Sequence, residues 1–213
     1  MSNYITSNFS NLIFSCSVPS QWHMEHRVTD HCVVFVRQGK LLISDKGRTE
    51  EIPAGSCVFL KKDCSVRLVK ASFAGKNYEG LNIRLPQNIL EDYFQRHLKN
   101  NEFPQDFTGL SNCFMRLNRT LCLQGLLSSI ILFVEEGQDP GQEMTELKVE
   151  ELILDLLQTN IRFFPTLFDF YRDWNVDLKE FMEDHFTENL SLSEFASCLL
   201  YTSPSPRDAT LSR

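Results

Sequence analysis

The chain has few of the features that mark exported, membrane-spanning or metal-binding proteins. Its seven cysteines are odd in number, scattered and without a CxxC pair, so we expect reduced thiols instead of a disulfide framework or a zinc site. No apolar run approaches the ~20 residues that a membrane helix needs. The first ten residues lack a basic flank and a continuous apolar block, which argues against an export signal. We therefore expect a cytoplasmic protein with no membrane partner.

The sequence also lacks an excess of positive charge. The net charge is −7 at pH 7, whereas nucleic acids attract basic surfaces. The acidity is concentrated, however, because residues 173–198 hold one lysine and seven acidic residues. Net charge therefore does not decide whether the intact protein binds DNA. What is abundant is apolar side chains, including 17 phenylalanines, and this abundance is typical of a packed core.

Residues 10–85 have the pattern of an antiparallel barrel or sandwich. They contain short segments that are rich in β-branched and aromatic residues and are bounded by turn residues. Gln38-Gly39 and Lys46-Gly47 are hairpin-like turns. The strands predicted in this way are 11–17, 22–28, 31–37, 40–45, 48–52, 56–60, 65–70 and 78–85.

Within this region, residues 31–60 resemble the signature of the cupin barrel. The sequence HCVVFVRQGKLLIS is followed by EIPAGSCVFL, which gives a strand, a turn at Gly39, and Pro53-Ala54-Gly55 before the next strand. Counted from the two glycines, the positions of the cupin metal ligands hold His26, Val28, Cys32 and Val58. One ligand in four is too few for iron or manganese. We therefore expect a barrel without a metal or another cofactor.

Neither a histidine cluster nor a catalytic set can be placed in the barrel from the sequence. His23, His26 and His31 lie close together in the chain, but residues three apart on one strand point to opposite faces. We expect ordinary histidines. The potentially reactive groups are Glu25, Glu79 and Cys32, which do not form a nucleophile, base and orienting group. The sequence thus predicts no catalytic residue and no enzyme.

From residue 86 the apolar period changes to that of helices. A first helix is predicted over 86–98, and an antiparallel pair over 116–136 and about 143–164, separated by a loop at 137–141. The apolar stripe on the first helix of the pair is broader than one partner requires. We take its members Leu123, Leu127, Ile130 and Val134 as a candidate dimer interface. The alternative, that the stripe packs on the barrel, stays open.

The stretch DLKEFMEDHFTENLSLSEFAS at 177–197 has the pattern of the start of a helix-turn-helix. An amphipathic helix is followed by a capping box formed by Ser191 and Glu194. Leu190, Leu192, Phe195 and Ala196 would form the scaffold. Residues 199–213 contain two prolines and no apolar period, so we expect a disordered, non-native tail that truncates the unit.

The order of barrel, helical pair, linker and this last stretch resembles that of an AraC/XylS-type transcriptional regulator over about residues 10–198. NLSLSEFA at 189–196 is similar to the family's xLSLxxLA, and Gly39, Pro53 and Gly55 fit its barrel. The resemblance implies an α+β fold, with a cupin-like barrel and trailing helix at 1–100, helices at 101–172 and the start of a helix-turn-helix domain at 173–198.

The resemblance also implies a function. The chain would be a fragment that keeps the regulatory and dimerisation domain of a DNA-binding regulator and lacks both recognition helices, so no DNA-reading residue is retained. Implied partners are promoter DNA for the intact protein, a second copy in a homodimer, and a small-molecule or protein effector. Two other classes stay open: a small-molecule-binding or catalytic cupin, and a stand-alone dimerising or partner-binding module.

Overall fold

The computed structural model describes residues 5–19, 21–98 and 108–170. The chain divides into two units between Phe168 and Asp169, and the fold described below is that of the first unit. The domain borders expected at residues 100, 172 and 198 stay predictions. In chain order the elements are β1 (Ile5–Phe9), β2 (Ile13–Val18), β3 (Trp22–Arg27), β4 (His31–Gln38), β5 (Lys40–Asp45), β6 (Arg48–Pro53), β7 (Ser56–Leu60), β8 (Ser65–Ala71), β9 (Tyr78–Leu85), α1 (Gln87–His97), β10 (Phe114–Arg116), α2 (Leu121–Glu136), α3 (Gln142–Thr159) and α4 (Phe163–Leu167).

The strands form two antiparallel sheets that enclose one core. The six-stranded sheet has the order β1-β2-β9-β4-β7-β10, and the four-stranded sheet has the order β3-β8-β5-β6. Side chains from both sheets share a buried apolar cluster, which includes Val34 and Val58 from the first and Ile43 and Leu68 from the second. The expected α+β class, with a cupin-like barrel followed by helices, is confirmed.

The central strands of the six-stranded sheet are buried on both faces. Strand β4 pairs with β7 so that Val34 lies opposite Val58 and Val33 lies opposite Phe59. The first pair points into the barrel core. The second pair, in which both side chains are 0% exposed, points to the helical side, because neighbouring residues on a strand face opposite ways. Two-sided burial explains why HCVVFV has no polar alternation.

Aromatic contacts attach the helices to the outer face of this sheet. The Phe59 ring meets the Phe163 ring of α4 edge to face, with centroids 5.0 Å apart. His31 stacks on Phe59 at 5.5 Å, and its Nδ1 accepts a hydrogen bond of 3.1 Å from the Lys62 N–H. The centroids of the Phe94 ring of α1 and the Phe168 ring are 5.4 Å apart. Apolar burial on this scale is worth about 1.5–3 kcal/mol for each large side chain.

All eight predicted strands are present, with ends within two residues of those predicted. Two short strands were not predicted. Strand β1 joins β2 through a turn in which Ser10 and Asn11 have positive φ angles of 50° and 56°, so no glycine marked that turn. Strand β10 consists of three residues paired with the edge of β7, and three residues are too few to show a period.

The predicted helices are present with two shifted ends. Helix α2 begins at Leu121 and not at residue 116, because Phe114–Arg116 is taken into the sheet and Thr120 caps the helix. Helix α3 ends at Thr159 and not near residue 164. Its C-cap, Asn160, has an extended backbone, with φ −154° and ψ 119°, and the short helix α4 follows.

Gly39, the turn glycine of the cupin-like signature, should be the residue of this barrel least able to gain a side chain. It has φ +73°, and an added Cβ would lie 2.6 Å from the Ala71 carbonyl oxygen and 2.8 Å from the Tyr78 Cα. Gly47 is the matched control, because it has φ +86° but nothing within 4 Å of its Cβ position. We expect Gly47→Ala to cost about 1–2 kcal/mol through its left-handed backbone alone, and Gly39→Ala to cost more than about 3 kcal/mol.

Urea unfolding of the full chain measures both values. Equal losses for the two variants would show that the close approach at Gly39 is absent.

Candidate regulatory surface

Helices α2 and α3 form a layer over the outer face of the six-stranded sheet. The residues of α2 that point inward are at most 5% exposed, and the helix packs against α3. The apolar residues of α3 that point inward are at most 1% exposed. The inward-facing apolar residues of the two helices are Leu123, Leu126, Leu127, Ile130, Val149, Leu152, Ile153 and Leu156.

Hydrogen bonds from Thr120 fix the first turn of α2 to α3. Its backbone is extended and its Oγ1 accepts a 2.9 Å hydrogen bond from the Leu123 N–H, which caps the helix. The same hydroxyl donates a 2.8 Å hydrogen bond to Asp155 Oδ1 on α3. Asp155 is only 6% exposed, so this hydroxyl satisfies a carboxylate that burial would otherwise penalise.

The other end of α2 is held against the barrel. Arg37 of β4 forms an ion pair with Glu135, and its Nη1 lies 3.6 Å from Glu79 Oε2 on β9. Gly137 ends the helix in the left-handed conformation, with φ 64°. With both ends held, the rotation of α2 about its axis is defined, and one face is left toward solvent.

The four residues predicted as a dimer interface lie mostly inside the chain. Leu123, Leu127 and Ile130 are 2%, 5% and 1% exposed, and Val134 is half-buried beside Leu81 of β9. The reason is that α2 packs on the sheet and on α3 at once, which uses the whole breadth of the stripe. A dimer surface on α2 has to use other side chains, and dimerisation itself stays a prediction.

The outer face of α2 carries exposed leucines and no charge. Leu121 and Leu132 are 87% and 60% exposed. Between them on the same face lie Gly125 and Ser128, at steps of four, three and four residues, so the four positions form one line. No charged residue occurs from 121 to 134. A helix with one side in solvent normally carries charges there. This face was not predicted from the sequence, and the lack of charge is the signal that could have revealed it.

The barrel interior is filled where the cupin pattern would place metal ligands. Val28, Cys32 and Val58 belong to the apolar core cluster, and burial raises the pKa of the Cys32 thiol to about 12. His26 is half-buried on β3. Burial first, and then the charge of Lys70, lower its pKa. In the described ranges no three His, Cys, Asp or Glu side chains are arranged to hold a metal ion.

The remaining candidate groups of the barrel point in different directions. Glu25 is exposed on β3, where Arg67 donates to it at 2.8 Å. Glu79 lies on the six-stranded sheet and accepts from Gln38 Nε2 at 3.1 Å, while Cys32 points into the core. His23 is exposed and His31 is buried. The structure therefore does not bring Glu25, Glu79 and Cys32 together.

The residues predicted for the helix-turn-helix lie outside those that the structure describes. These are Leu190, Leu192, Phe195 and Ala196, together with the tail at 199–213. Within 5–19, 21–98 and 108–170, no helix is both long and apolar enough to cross a membrane.

Comparisons with solved structures identify relatives of the fold. An apo form of ToxT from Vibrio cholerae has a TM-score of 0.55 and 13% identity, over 91% of this chain and 72% of that one. ToxT from the same organism with an unsaturated fatty acid bound has a TM-score of 0.49 and 12% identity, over 89% and 68%. An RmlC-like cupin family protein from Methanocaldococcus jannaschii has a TM-score of 0.30 and 13% identity, over 35% and 68%. Only the first is close enough to support the shared fold. A search of curated proteins found no match.

The class of fold that the structure defines is a filled cupin-like barrel backed by a helical layer. The family model described as the ExsA N-terminal regulatory domain matches residues 31–163, which is more than half of the chain. The chain therefore belongs to that family, and it carries the regulatory domain of an AraC-family regulator. The resemblance drawn from the sequence is confirmed.

The Thr120 hydroxyl should stabilise the first turn of α2 and its packing against α3. We expect Thr120→Ala to lose about 1–3 kcal/mol of unfolding free energy, because it removes the cap and leaves the buried Asp155 without this donor. Thr120→Ser keeps the hydroxyl and should recover most of that loss. Chemical denaturation of the two variants provides the measurement, and an equal loss in both would contradict the role given to the hydroxyl.

Proposed function

We propose that this domain pairs the DNA-binding units of its regulator by forming a homodimer through the outer face of α2. We further propose that it acts in the cytoplasm and catalyses no reaction. The observation that carries the proposal is the line formed by Leu121, Gly125, Ser128 and Leu132, which is exposed and apolar at both ends and uncharged throughout. Exposed leucines at both ends of one helical face are typical of a surface that binds a partner.

The spacing on this face suits a twofold axis across α2. A C2 interface brings the same surface of both copies together. If two copies of α2 cross antiparallel at Gly125 and Ser128, Leu121 of one copy meets Leu132 of the other. A Cβ added at Gly125 would have nothing within 4 Å, so this position is open, and small residues at a crossing allow interaxial distances near the low end of about 8–10 Å.

The charges at the ends of α2 favour the antiparallel orientation. Arg119 precedes the helix and is exposed, and Glu135 and Glu136 end it. An antiparallel pair places the arginine end of one copy beside the acidic end of the other. A parallel pair would instead bring the two Glu136 side chains together, and their repulsion would lower its stability.

Such a dimer would give the regulator its affinity for DNA. Two linked DNA-binding units reach two half-sites at an effective concentration set by their connection, so the pair binds far more tightly than either unit alone. A small molecule or protein that favours or blocks the contact through α2 would then control transcription. This is the regulatory role proposed for the effector.

The variant Leu121→Glu with Leu132→Glu should abolish the dimer without unfolding the chain. Both residues face solvent, and in the proposed dimer each new carboxylate would be buried near a carboxylate of the second copy. We expect the dimer dissociation constant of the 213-residue chain to rise at least about 100-fold, measured by sedimentation equilibrium.

Two further variants make this experiment decisive. Leu147→Glu changes a leucine of α3 that is 57% exposed and should leave the dimer intact. Leu127→Asp with Ile130→Asp should lose the folded state, because both residues are core. If the parent chain is a monomer at high micromolar concentration, or the Leu121/Leu132 variant associates as the parent does, the proposal is wrong.

A further inference from the structure

A lysine and a cysteine meet between the two sheets of the barrel. Lys70 of β8 donates a hydrogen bond from its Nζ to the Sγ of Cys16 on β2, at 3.4 Å. Both side chains are on the inner side of the barrel wall, because Cys16 packs against the core cluster and Lys70 pairs with the core residue Leu41 of β5. Both are half-buried, so a small solute can reach them.

The Lys70 ammonium is not neutralised by a carboxylate. It lies 5.1 Å from the ring centroid of Trp22 and 5.4 Å from that of Tyr78. Among the ion pairs within 5–19, 21–98 and 108–170, none includes Lys70, whereas Lys40 on the neighbouring strand pairs with Glu51 at 2.8 Å. Aromatic rings attract a cation but leave its charge uncompensated. A cation beside a thiol favours the thiolate, which is the nucleophilic form of cysteine.

A second donor, the hydroxyl of Tyr78 on β9, lies beside the same cysteine. The Tyr78 side chain is 0% exposed, and its Oη has no hydrogen-bond partner in the part of the chain that the structure describes. This oxygen lies 2.6 Å from the position of a Cβ at Gly80, and Gly80 is the residue of β9 that pairs with Cys16. Cβ positions of directly paired residues are about 4.5–5.5 Å apart, so the hydroxyl is next to the thiol.

The Tyr78 hydroxyl is a donor under all ordinary conditions. Burial first, and then the charge of Cys16, raise the pKa of Tyr78, so the phenol keeps its proton. A thiol sulfur is only a weak acceptor, and a buried donor without a good acceptor lowers stability. An oxygen atom bonded to the sulfur of Cys16 would be a strong acceptor for both the hydroxyl and the Lys70 ammonium. The half-buried position of the thiol favours a reagent of only a few atoms.

We propose that Cys16 is a modification site, at which hydrogen peroxide forms a sulfenic acid that Lys70 and Tyr78 stabilise by hydrogen bonds. The thiolate sulfur attacks one oxygen of the peroxide, so that an S–O bond forms and the O–O bond breaks. The sulfur is oxidised by two electrons and the peroxide is reduced. The leaving hydroxide takes a proton from the Lys70 ammonium and becomes water, and the lysine regains the proton that the thiol released. Thiols reverse this modification, and it does not depend on the dimer.

The test is exposure of the full chain to hydrogen peroxide in the presence of dimedone, which forms a covalent adduct with sulfenic acids. Peptide mass spectrometry measures the adduct at each cysteine separately. We expect an adduct at Cys16, and its rate of formation should fall at least about fivefold in Lys70→Met, which removes the cation beside the thiol. Lys70→Arg keeps the charge and should recover most of the rate.

Lys40→Met is the matched control. Lys40 lies on the same sheet and also over an aromatic ring, 5.3 Å from the ring centroid of Phe73, but its Nζ pairs with Glu51. This variant should leave the rate at Cys16 unchanged.

The variant Tyr78→Phe tests the second donor and leaves the charge at Lys70 intact. It removes only the hydroxyl, which has no partner among the described residues, so the reduced chain should stay at least as stable as the parent. Once formed, the sulfenic acid at Cys16 should disappear at least about threefold faster in this variant, because it loses one hydrogen bond. Addition of dimedone at increasing delays after a short exposure to peroxide measures that lifetime.

Three outcomes would overturn the proposal: no adduct at Cys16, a parental rate of adduct formation in Lys70→Met, or equal sulfenic acid lifetimes in Tyr78→Phe and the parent. Circular dichroism of each reduced variant separates a lost site from a lost fold. Sedimentation of the same samples shows independently whether the dimer is present, so failure here and failure of the dimer proposal are distinguishable.

Discussion

The structure depends on the burial of one sheet from both sides. Strands β4, β7 and β9 present Val34, Val58 and Tyr78 to the barrel core and Val33, Phe59 and Ile83, all 0% exposed, to the helices. The barrel needs the inner face of this sheet to close its core, and the helices need the outer face to bury their apolar side chains. The β4–β7–β9 region therefore makes barrel and helices one unit, and it sets the plane on which α2 lies.

The outer face of α2, which we propose as the dimer surface, is a consequence of how the helix is held on that plane. Thr120 ties its first turn to Asp155 of α3, and Arg37 ties its last turn to β4 through Glu135. These polar contacts at the two ends, together with the leucines packed between them, fix the rotation of α2 about its own axis. The face turned outward is the uncharged one.

Much of the fold was predictable because short sequence patterns specify its strands, helices and turns. Glycine marks the turns at Gly39 and Gly47. The turn at Gly47 joins the paired strands β5 and β6 as the hairpin pattern predicted, whereas Gly39 joins β4 of one sheet to β5 of the other. The family could also be predicted, since Gly39, Pro53 and Gly55 are needed by the barrel whatever it binds. The replacement of three metal positions by Val28, Cys32 and Val58 predicted a barrel without a metal, and the structure places all three side chains in the apolar core cluster. Strand β1 and strand β10 were missed because Ser10 and Asn11 turn without a glycine, and because Phe114–Arg116 is ordered only by its pairing with β7.

The sequence by itself determined which segments are strands and helices and that one face of α2 is broad and apolar. Periodicity and turn chemistry are local, so they are readable residue by residue. Only the tertiary structure decided which surface covers this broad apolar face. Leu123, Leu127 and Ile130 are apolar in either setting, and the pattern is the same whether the partner is a sheet of the same chain or a second copy. In the folded chain the sheet and α3 cover these side chains, and this leaves Leu121 and Leu132 in solvent.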